Sequence, residues 1–493
     1  MKRRTKKGTD AIKTTSVCPT CMKTIPATLA KKGEKVIMGK KCKEHGKFKE
    51  VVYNSNRFDE DLKYLKYVKN GKKRTDFSCD GCPKHITETC LAIIDVTNRC
   101  NLRCSYCFAN AAVSKRLYEP DLKTMKEIID FLRKSQPRNN AILFSGGEPT
   151  LREDFPDILR YARDVGKFEC LMVATNGYRI ANDVKYLKKM QDSGLGIIYL
   201  SFDGLTDETN KEKKNHNIVD KIMKNCRKCG VAIVLVPAII KGVNNHEIWD
   251  IVKFGAKNND VVKCINFQPI GFIGRMDPKE REKMRYNIPD LINDIDKQSN
   301  GNLTKDDFYP ITAGIPFELA LEKITKKEII RFSMHPMCGS ATYVYIDNDK
   351  ITPLSEIMNV KKFIKLCDGY KKESEEKDFI KRKTSKLRFI ARLKDVFKDE
   401  KILKTLILNL ILKVDFNSLA ELHQHLLFIS AMHFMDPYNF DFERLKRCGV
   451  HYITPDKKTI PFCAYNNMYR EKIEKKFSMR FEKGYIKPMG PGL

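Results

Sequence analysis

From residue 91 to about residue 275 the chain alternates apolar stretches with amphipathic helical patterns, at steps of roughly 30 residues. The strand candidates are 91–96, 141–144, 169–174, 196–202, 232–239 and 262–269. Between them lie helical patterns at 122–135, 155–165, 183–193, 218–228 and 246–257. Such alternation predicts an α/β fold with a parallel sheet, and six βα units rather than eight predict an open or partial barrel. Ligands gather at the C-terminal ends of parallel strands. Cys100, Gly146, Asn176, Ser201, Asp203 and Gln268 all fall at, or just past, the end of a strand candidate.

The first of those ends carries Cys-Asn-Leu-Arg-Cys-Ser-Tyr-Cys, which places Cys100, Cys104 and Cys107 in a CxxxCxxC spacing with Tyr106 before the last thiol. Three thiolates on one tight loop can hold three irons of a [4Fe–4S] cluster and leave the fourth without a protein ligand. A structural zinc loop ordinarily pairs two CxxC knuckles, and only three thiols are present here. One strand later comes Gly146-Gly147-Glu148-Pro149, where two glycines let the backbone approach a ligand and a carboxylate can meet an ammonium. Spacing and order together resemble the radical S-adenosylmethionine (SAM) superfamily. That resemblance implies that the open iron takes SAM, and that Gly146, Gly147 and Glu148 receive its methionine end. Ala174-Thr175-Asn176-Gly177 and Ser201-Phe202-Asp203-Gly204 resemble the superfamily's third- and fourth-strand motifs, which implies SAM or substrate contacts for Asn176, Ser201 and Asp203, with Tyr106 and Gln268 beside the cofactor.

Outside the barrel, cysteines mark further metal sites. Cys18-Pro-Thr-Cys21 followed by Cys42-Lys-Glu-His45 is a knuckle pair suited to tetrahedral zinc or a rubredoxin-like iron, and the sequence does not separate the two. Cys79, Cys82 and Cys90 form a CxxCx₇C leader that suits an iron–sulfur cluster but lacks a fourth local ligand. Cys338, Cys367, Cys448 and Cys463 are the tail candidates, and these seven thiols are one short of full ligation for two more clusters. The tail from Cys448 to Cys463 resembles a SPASM-type auxiliary-cluster half-motif; Cys338 repeats its opening, but Leu354 stands at the closing position. Cys170, Cys226, Cys229 and Cys264 lie in core patterns and read as packing residues.

The chain has 493 residues and a formal net charge of +30. That length supports two or three domains, and the charge favours an anionic partner. Five segments follow: a metal knuckle domain at 1–58, a cluster leader at 59–91, the barrel at 92–300, a mostly helical insertion at 301–440 and a SPASM-like cluster tail at 441–493. The basic start of the chain lacks the apolar core of a signal peptide, and no run reaches the roughly 20 apolar residues that span a bilayer. An apolar segment at 401–414, flanked by lysines, reads as a buried helix, an interfacial one or the wall of an apolar tunnel.

Taken together, the CxxC…CxxH knuckle, Cys-Asp-Gly-Cys-Pro at 79–83, the cysteine loop running on to Phe108-Ala-Asn110, and Ser430-Ala-Met-His-Phe-Met-Asp436 resemble one branch of the superfamily. It comprises archaeal tetraether lipid synthases and methanogen pterin methyltransferases. The synthase reading, set first, implies carbon–carbon coupling of the isoprenoid chain ends of two diether lipids. It further implies three [4Fe–4S] clusters, SAM, one mononuclear iron (or zinc), an anionic diether phospholipid substrate and an electron donor such as a ferredoxin or flavodoxin. The expected location is cytoplasmic and peripheral at the membrane. The alternative reading is radical methylation of a pterin, which needs a polar pocket rather than a long tunnel. RNA modification is set last, because the basic surface lacks interleaved stacking aromatics, and no nucleic-acid partner is expected.

Overall fold

The structure is a computed structural model that describes residues 11–68, 85–112, 116–347, 350–376, 379–398 and 425–480. An N-terminal antiparallel sheet has the order β1 (Ile12–Val17), β2 (Thr24–Lys32), β3 (Lys35–Cys42) and β4 (Gly46–Asn54). The barrel sheet contains β5 (Leu91–Thr97), β6 (Ala141–Gly146), β7 (Cys170–Thr175), β8 (Leu195–Ser201), β9 (Ala232–Val236) and β10 (Val262–Pro269), each parallel to the next. These are the six strands anticipated from the alternation of the sequence, displaced by up to three residues at their ends.

The helices between them form for local reasons that the first illustrates. Over Leu122–Ser135, Met125, Ile128, Ile129 and Leu132 recur on one face and are buried. The Asp121 side chain caps the start by accepting from the Thr124 amide at 2.8 Å, and Arg133 and Lys134 complement the dipole at the far end.

Residues along each strand divide between two cores. Ile94, Phe144, Val173 and Ile198 face the helices, whereas Ile93, Leu143, Met172 and Tyr199 face the other way. The tail fills that second side: Phe440, Phe442, Tyr452, Phe462 and Tyr465 pack there. A buried ion pair fastens it, because Arg470 donates to Asp95 at 2.7 Å and to the Tyr452 hydroxyl at 2.9 Å.

The stretch 301–440, expected to be mostly helical, also supplies sheet. β11 (Gly339–Asp347) runs antiparallel to β12 (Lys350–Pro353) and to β13 (Leu426–Met432), and β13 lies parallel to β10. At the opposite edge β14 (Val450–Ile453) lies parallel to β5 and pairs antiparallel with β15 (Thr459–Pro461). One parallel strand is thus added at each edge of the six. The helices of the stretch, Ile315–Thr325, Val360–Ser374 and Phe379–Leu393, bury their apolar residues largely against one another. The apolar segment at 401–414 lies outside the described residues. Among the described residues, no helix is long and apolar enough to cross a membrane.

Buried polar contacts join the N-terminal sheet to the rest. Arg285 donates to Glu50 at 3.2 Å and to Asp436 at 2.6 Å, Lys40 to the Pro437 carbonyl at 2.7 Å, and Thr14 to Asp441 at 2.6 Å.

Candidate functional site

The cysteine loop leaves the end of β5 and is held by elements the sequence motifs do not announce. Arg275, just beyond β10, donates to the Cys104 carbonyl at 2.9 Å, to the Asn110 side chain at 3.1 Å and to the Ala111 carbonyl. Gly274 has φ +66°, and a Cβ there would stand 2.3 Å from the Cys107 carbonyl oxygen, so only glycine permits this approach. Glu212 accepts from the Ser105 amide at 3.2 Å and hydroxyl at 3.0 Å. The three thiols are brought together: burial first, then Glu148 and the other two cysteines, push Cys100 up to about 12. Burial also pushes Cys104 up to about 11, partly opposed by the Lys213 ammonium. Three convergent, half-buried thiols fit a cluster with one open iron, which would bind them as thiolates.

The glycine motif stacks on this loop. The Gly147 amide donates to the Thr97 carbonyl and the Glu148 amide to the Arg99 carbonyl, both at 2.7 Å. A Cβ on Gly146, where φ is +128°, would lie 2.1 Å from the Thr97 oxygen, and one on Gly147 would lie 2.0 Å from the Arg99 oxygen. The glycines therefore serve a backbone-on-backbone contact.

The Glu148 carboxylate departs from the ammonium contact expected of it. One oxygen accepts from the Thr150 amide at 3.2 Å, the Thr150 hydroxyl at 2.6 Å and the Thr175 hydroxyl at 2.8 Å. The other accepts from the Asn176 amide at 2.7 Å. Buried and fully partnered by its own chain, this carboxylate staples the end of β6 to the end of β7, and burial raises its pKa despite those donors.

Asn176 in turn donates to Asn101 of the cysteine loop at 2.7 Å. Asp203 accepts from the Tyr106 hydroxyl, from the Ala238 amide at 2.9 Å and from Lys213 Nζ at 2.7 Å, and the lysine and the aspartate are both buried. Tyr106 is thus pinned to the fourth strand end through its hydroxyl. Ser201 and Gln268 stand half-buried at the ends of β8 and β10. Lys213 and Arg275 escaped the sequence reading: one sits in a lysine-rich run that reads as a solvated surface, and the other carries no motif.

In the N-terminal sheet, Cys18, Cys21, Cys42 and His45 bring their ligand atoms within 4.8 Å of one another. His45 Nδ1 lies 3.7 Å from Cys18 Sγ and 3.5 Å from Cys42 Sγ, and Cys21 and Cys42 sulfurs are 4.0 Å apart. A tetrahedral ion with metal–sulfur bonds of about 2.3 Å and a metal–nitrogen bond of about 2.0–2.1 Å has ligand–ligand edges of about 3.5–3.8 Å. The donor set fits such an ion. Burial alone would raise Cys18, but hydrogen bonds from the Cys21 and Thr20 backbone bring it down to about 7, which favours the thiolate.

Among the tail thiols, Cys338, Cys448 and Cys463 converge. Burial pushes Cys448 well up and nearby Cys463 and Cys338 push it further, while Cys463 is pushed up to about 12 by burial. Arg444, buried, has its charge beside Cys338 and donates to the His433 carbonyl at 2.9 Å. The Met435 amide donates to Cys463 Sγ at 3.3 Å. Three thiols with a guanidinium beside them fit an iron–sulfur cluster better than free cysteines.

Cys367 does not join them, which corrects its placement among the tail candidates: it is buried with Phe363, Tyr370 and Phe389 in the core of the helical stretch. Cys90 immediately precedes β5, with its amide donating to the Gly449 carbonyl at 2.7 Å, and it neighbours Glu318, whose pKa burial lifts to about 7. Cys79 and Cys82 lie outside the described residues. Cys226 and Cys229 pack in the helix-side core, and Cys170 belongs to the opposite one.

Residues 94–255 match the Radical SAM superfamily, and residues 12–54 match the HMPTM N-terminal zinc ribbon domain. The barrel is therefore that of a radical SAM enzyme, which implies a [4Fe–4S] cluster and SAM, and the N-terminal sheet is a zinc ribbon. A 7,8-dihydro-6-hydroxymethylpterin dimethyltransferase of Methanocaldococcus jannaschii is 41% identical over 95% of this chain and 96% of its own length. The chain belongs to the radical SAM superfamily and, within it, to the family of that dimethyltransferase. A Fe-coproporphyrin III synthase of Methanosarcina barkeri is 32% identical, but over 43% of this chain and 51% of its own. The crystal structure of Streptococcus suis SuiB bound to precursor peptide SuiA is similar with a TM-score of 0.35 at 19% identity, covering 44% of this chain and 48% of that one. The end-to-end likeness to a pterin enzyme overturns the tetraether synthase reading and favours the alternative set beside it.

Proposed function

We propose that this protein is a radical SAM C-methyltransferase acting on a reduced pterin. The observation that carries the reading is the 41% identity, over nearly the whole of both chains, to the 7,8-dihydro-6-hydroxymethylpterin dimethyltransferase. The cluster and SAM would supply one-electron reductive cleavage of SAM to a radical that abstracts hydrogen from an unactivated C–H bond.

The chain's own residues hold and orient. Cys100, Cys104 and Cys107 would ligate three irons, and Arg275 and Glu212 fix the loop that presents them. With the Glu148 carboxylate occupied, backbone carbonyls of the glycine loop are left to meet the methionine ammonium. Tyr106, Asp203 and Lys213 form one braced unit, which fixes the ring of Tyr106 beside the cluster loop. Asn176, Ser201 and Gln268 offer donors and acceptors at the strand ends, suited to the hydrogen-bonding edge of a pterin. Two further clusters would sit at Cys79, Cys82 and Cys90 and at Cys338, Cys448 and Cys463. A low-potential carrier such as a ferredoxin or flavodoxin would deliver electrons.

The test is anaerobic incubation of the iron-loaded protein with SAM, a reductant, a one-carbon donor and 7,8-dihydro-6-hydroxymethylpterin, followed by mass spectrometry. A pterin bearing one or two added methyl groups, formed together with 5′-deoxyadenosine, supports the reading. Steady formation of 5′-deoxyadenosine with no methylated pterin at any donor tested would remove it.

A further inference from the structure

The three thiols of the tail site leave one position of a four-iron cluster to be filled, and the fold brings a fourth donor to it. His433 follows β13 directly, and Cys338 directly precedes β11. The antiparallel register of those strands pairs Met432 with Gly339, so the next residues outward, His433 and Cys338, stand opposite one another. The His433 amide donates to the Cys338 carbonyl at 3.2 Å, which continues the ladder by one pair. Antiparallel partners carry their side chains to the same face, with Cβ atoms about 4.5–5.5 Å apart.

Two more contacts draw His433 into the same site. Arg444, whose charge lies beside Cys338, also donates to the His433 carbonyl at 2.9 Å. Two residues further along, the Met435 amide donates to the sulfur of Cys463. His433 is 4% exposed, and its Nε2 is buried without a hydrogen-bond partner. A buried imidazole nitrogen with nothing to bond is costly unless a ligand takes its lone pair.

We propose that His433 Nε2 is the fourth ligand of an iron–sulfur cluster held by Cys338, Cys448 and Cys463. This rests on the reading that the tail thiols hold a cluster, and it adds what that cluster does. With four protein ligands no iron is open, so the tail cluster does not bind substrate; it carries electrons. A histidine in place of a thiolate makes the cluster one charge less negative, which raises its potential, and Arg444 beside Cys338 acts in the same direction. Phe108 follows Cys107, Phe462 precedes Cys463, and their rings lie 5.7 Å apart between centroids. The tail site therefore borders the cysteine loop that would hold the SAM cluster.

The experiment is pulsed EPR on the reduced full-length protein carrying Cys100→Ala, Cys104→Ala and Cys107→Ala, so that only the auxiliary clusters contribute. The expected result is a directly bonded ¹⁴N coupling that disappears in His433→Ala and in His433→Cys. In His433→Cys the iron content stays unchanged and the midpoint potential of the cluster falls. That thiolate variant guards against a folding defect, since it refills the position. A nitrogen coupling that survives both substitutions, or none in the parent, overturns the ligand assignment. Iron content unaffected by Cys448→Ala or Cys463→Ala would overturn the underlying cluster instead, and the two failures are thereby told apart.

Discussion

Glu148→Gln separates a structural carboxylate from a ligand-binding one. The wild-type side chain accepts from two backbone amides, Thr150 at 3.2 Å and Asn176 at 2.7 Å, and from two hydroxyls. A hydroxyl can turn and accept; an amide N–H cannot. Whichever way a glutamine is placed, its NH₂ faces one of those two amides. One charge-assisted hydrogen bond, worth roughly 1.5–3 kcal/mol, is lost, and a buried N–H is left unmet at roughly 1–3 kcal/mol. Against this stands relief from burying the charge, whose cost is visible in the raised pKa of Glu148. The balance is a local destabilisation of about 2 kcal/mol, which corresponds to about 30-fold faster amide hydrogen exchange. The assay is exchange at Asn176 and Thr150 in the iron-loaded protein without SAM, with SAM affinity measured on the same preparation. Exchange at the wild-type rate combined with a large loss of SAM affinity would refute the staple and return the carboxylate to the SAM ammonium.

Glu318→Gln should alter stability in a pH-dependent way. Burial raises the folded pKa from 4.5 to about 7, so the stability tied to its protonated form is present below pH 4.5 and lost as pH rises towards 7. The variant should match wild type near pH 4 and exceed it by up to about 3 kcal/mol at pH 8 in urea unfolding; equal midpoints at both pH values would contradict the assignment. Cys367→Ala should keep all the iron while lowering thermal stability, whereas Cys448→Ala should lose about four irons per chain. Iron counting decides it, and equal losses in the two variants would restore Cys367 as a ligand. Arg275→Ala removes donors to Cys104, Asn110 and Ala111, so chelator should strip iron from the Cys100 loop several-fold faster; an unchanged stripping rate would show that the loop holds itself.

The barrel was legible because a helix with its own apolar stripe lies between each of its six strands and the next, so the period changes from two to 3.6 at every boundary. The edge strand β13 was not. β13 reads Leu-Leu-Phe-Ile-Ser-Ala-Met, nearly continuous in apolar residues because both its faces are covered, and such a run cannot be told from a buried helix by periodicity. It also follows an apolar segment, which drew 301–440 towards a helical reading. Cys367 was open to a better reading: Phe363, Ile364, Cys367 and Tyr370 recur at helical spacing and mark a core stripe. The cysteine loop and the glycine motif were found by spacing, yet the job of Glu148 was not, because a carboxylate after two glycines suits an ammonium and a ring of amides equally well. Only the packing of β6 against β7 decides between them.

The tail site shows why a sequence can name cysteines as ligands without showing which of them share a site. Cys338 precedes a strand at one edge of the sheet, while Cys448 and Cys463 flank the two strands at the other. No local spacing relates Cys338 to the other two; they meet only when the sheet has curved and the tail has packed across its inner face. Local motifs such as Cys100 to Cys107 can be loaded by a loop alone, but this site requires the whole barrel. Loss of any tail ligand should therefore loosen the contact between the two edges as well as release iron. Hydrogen exchange of β11 and β14 in Cys448→Ala reads that coupling: both strands should exchange faster, though they are far apart in sequence. Faster exchange confined to β14 would mean that each edge is held by its own neighbours and that the cluster is a passenger.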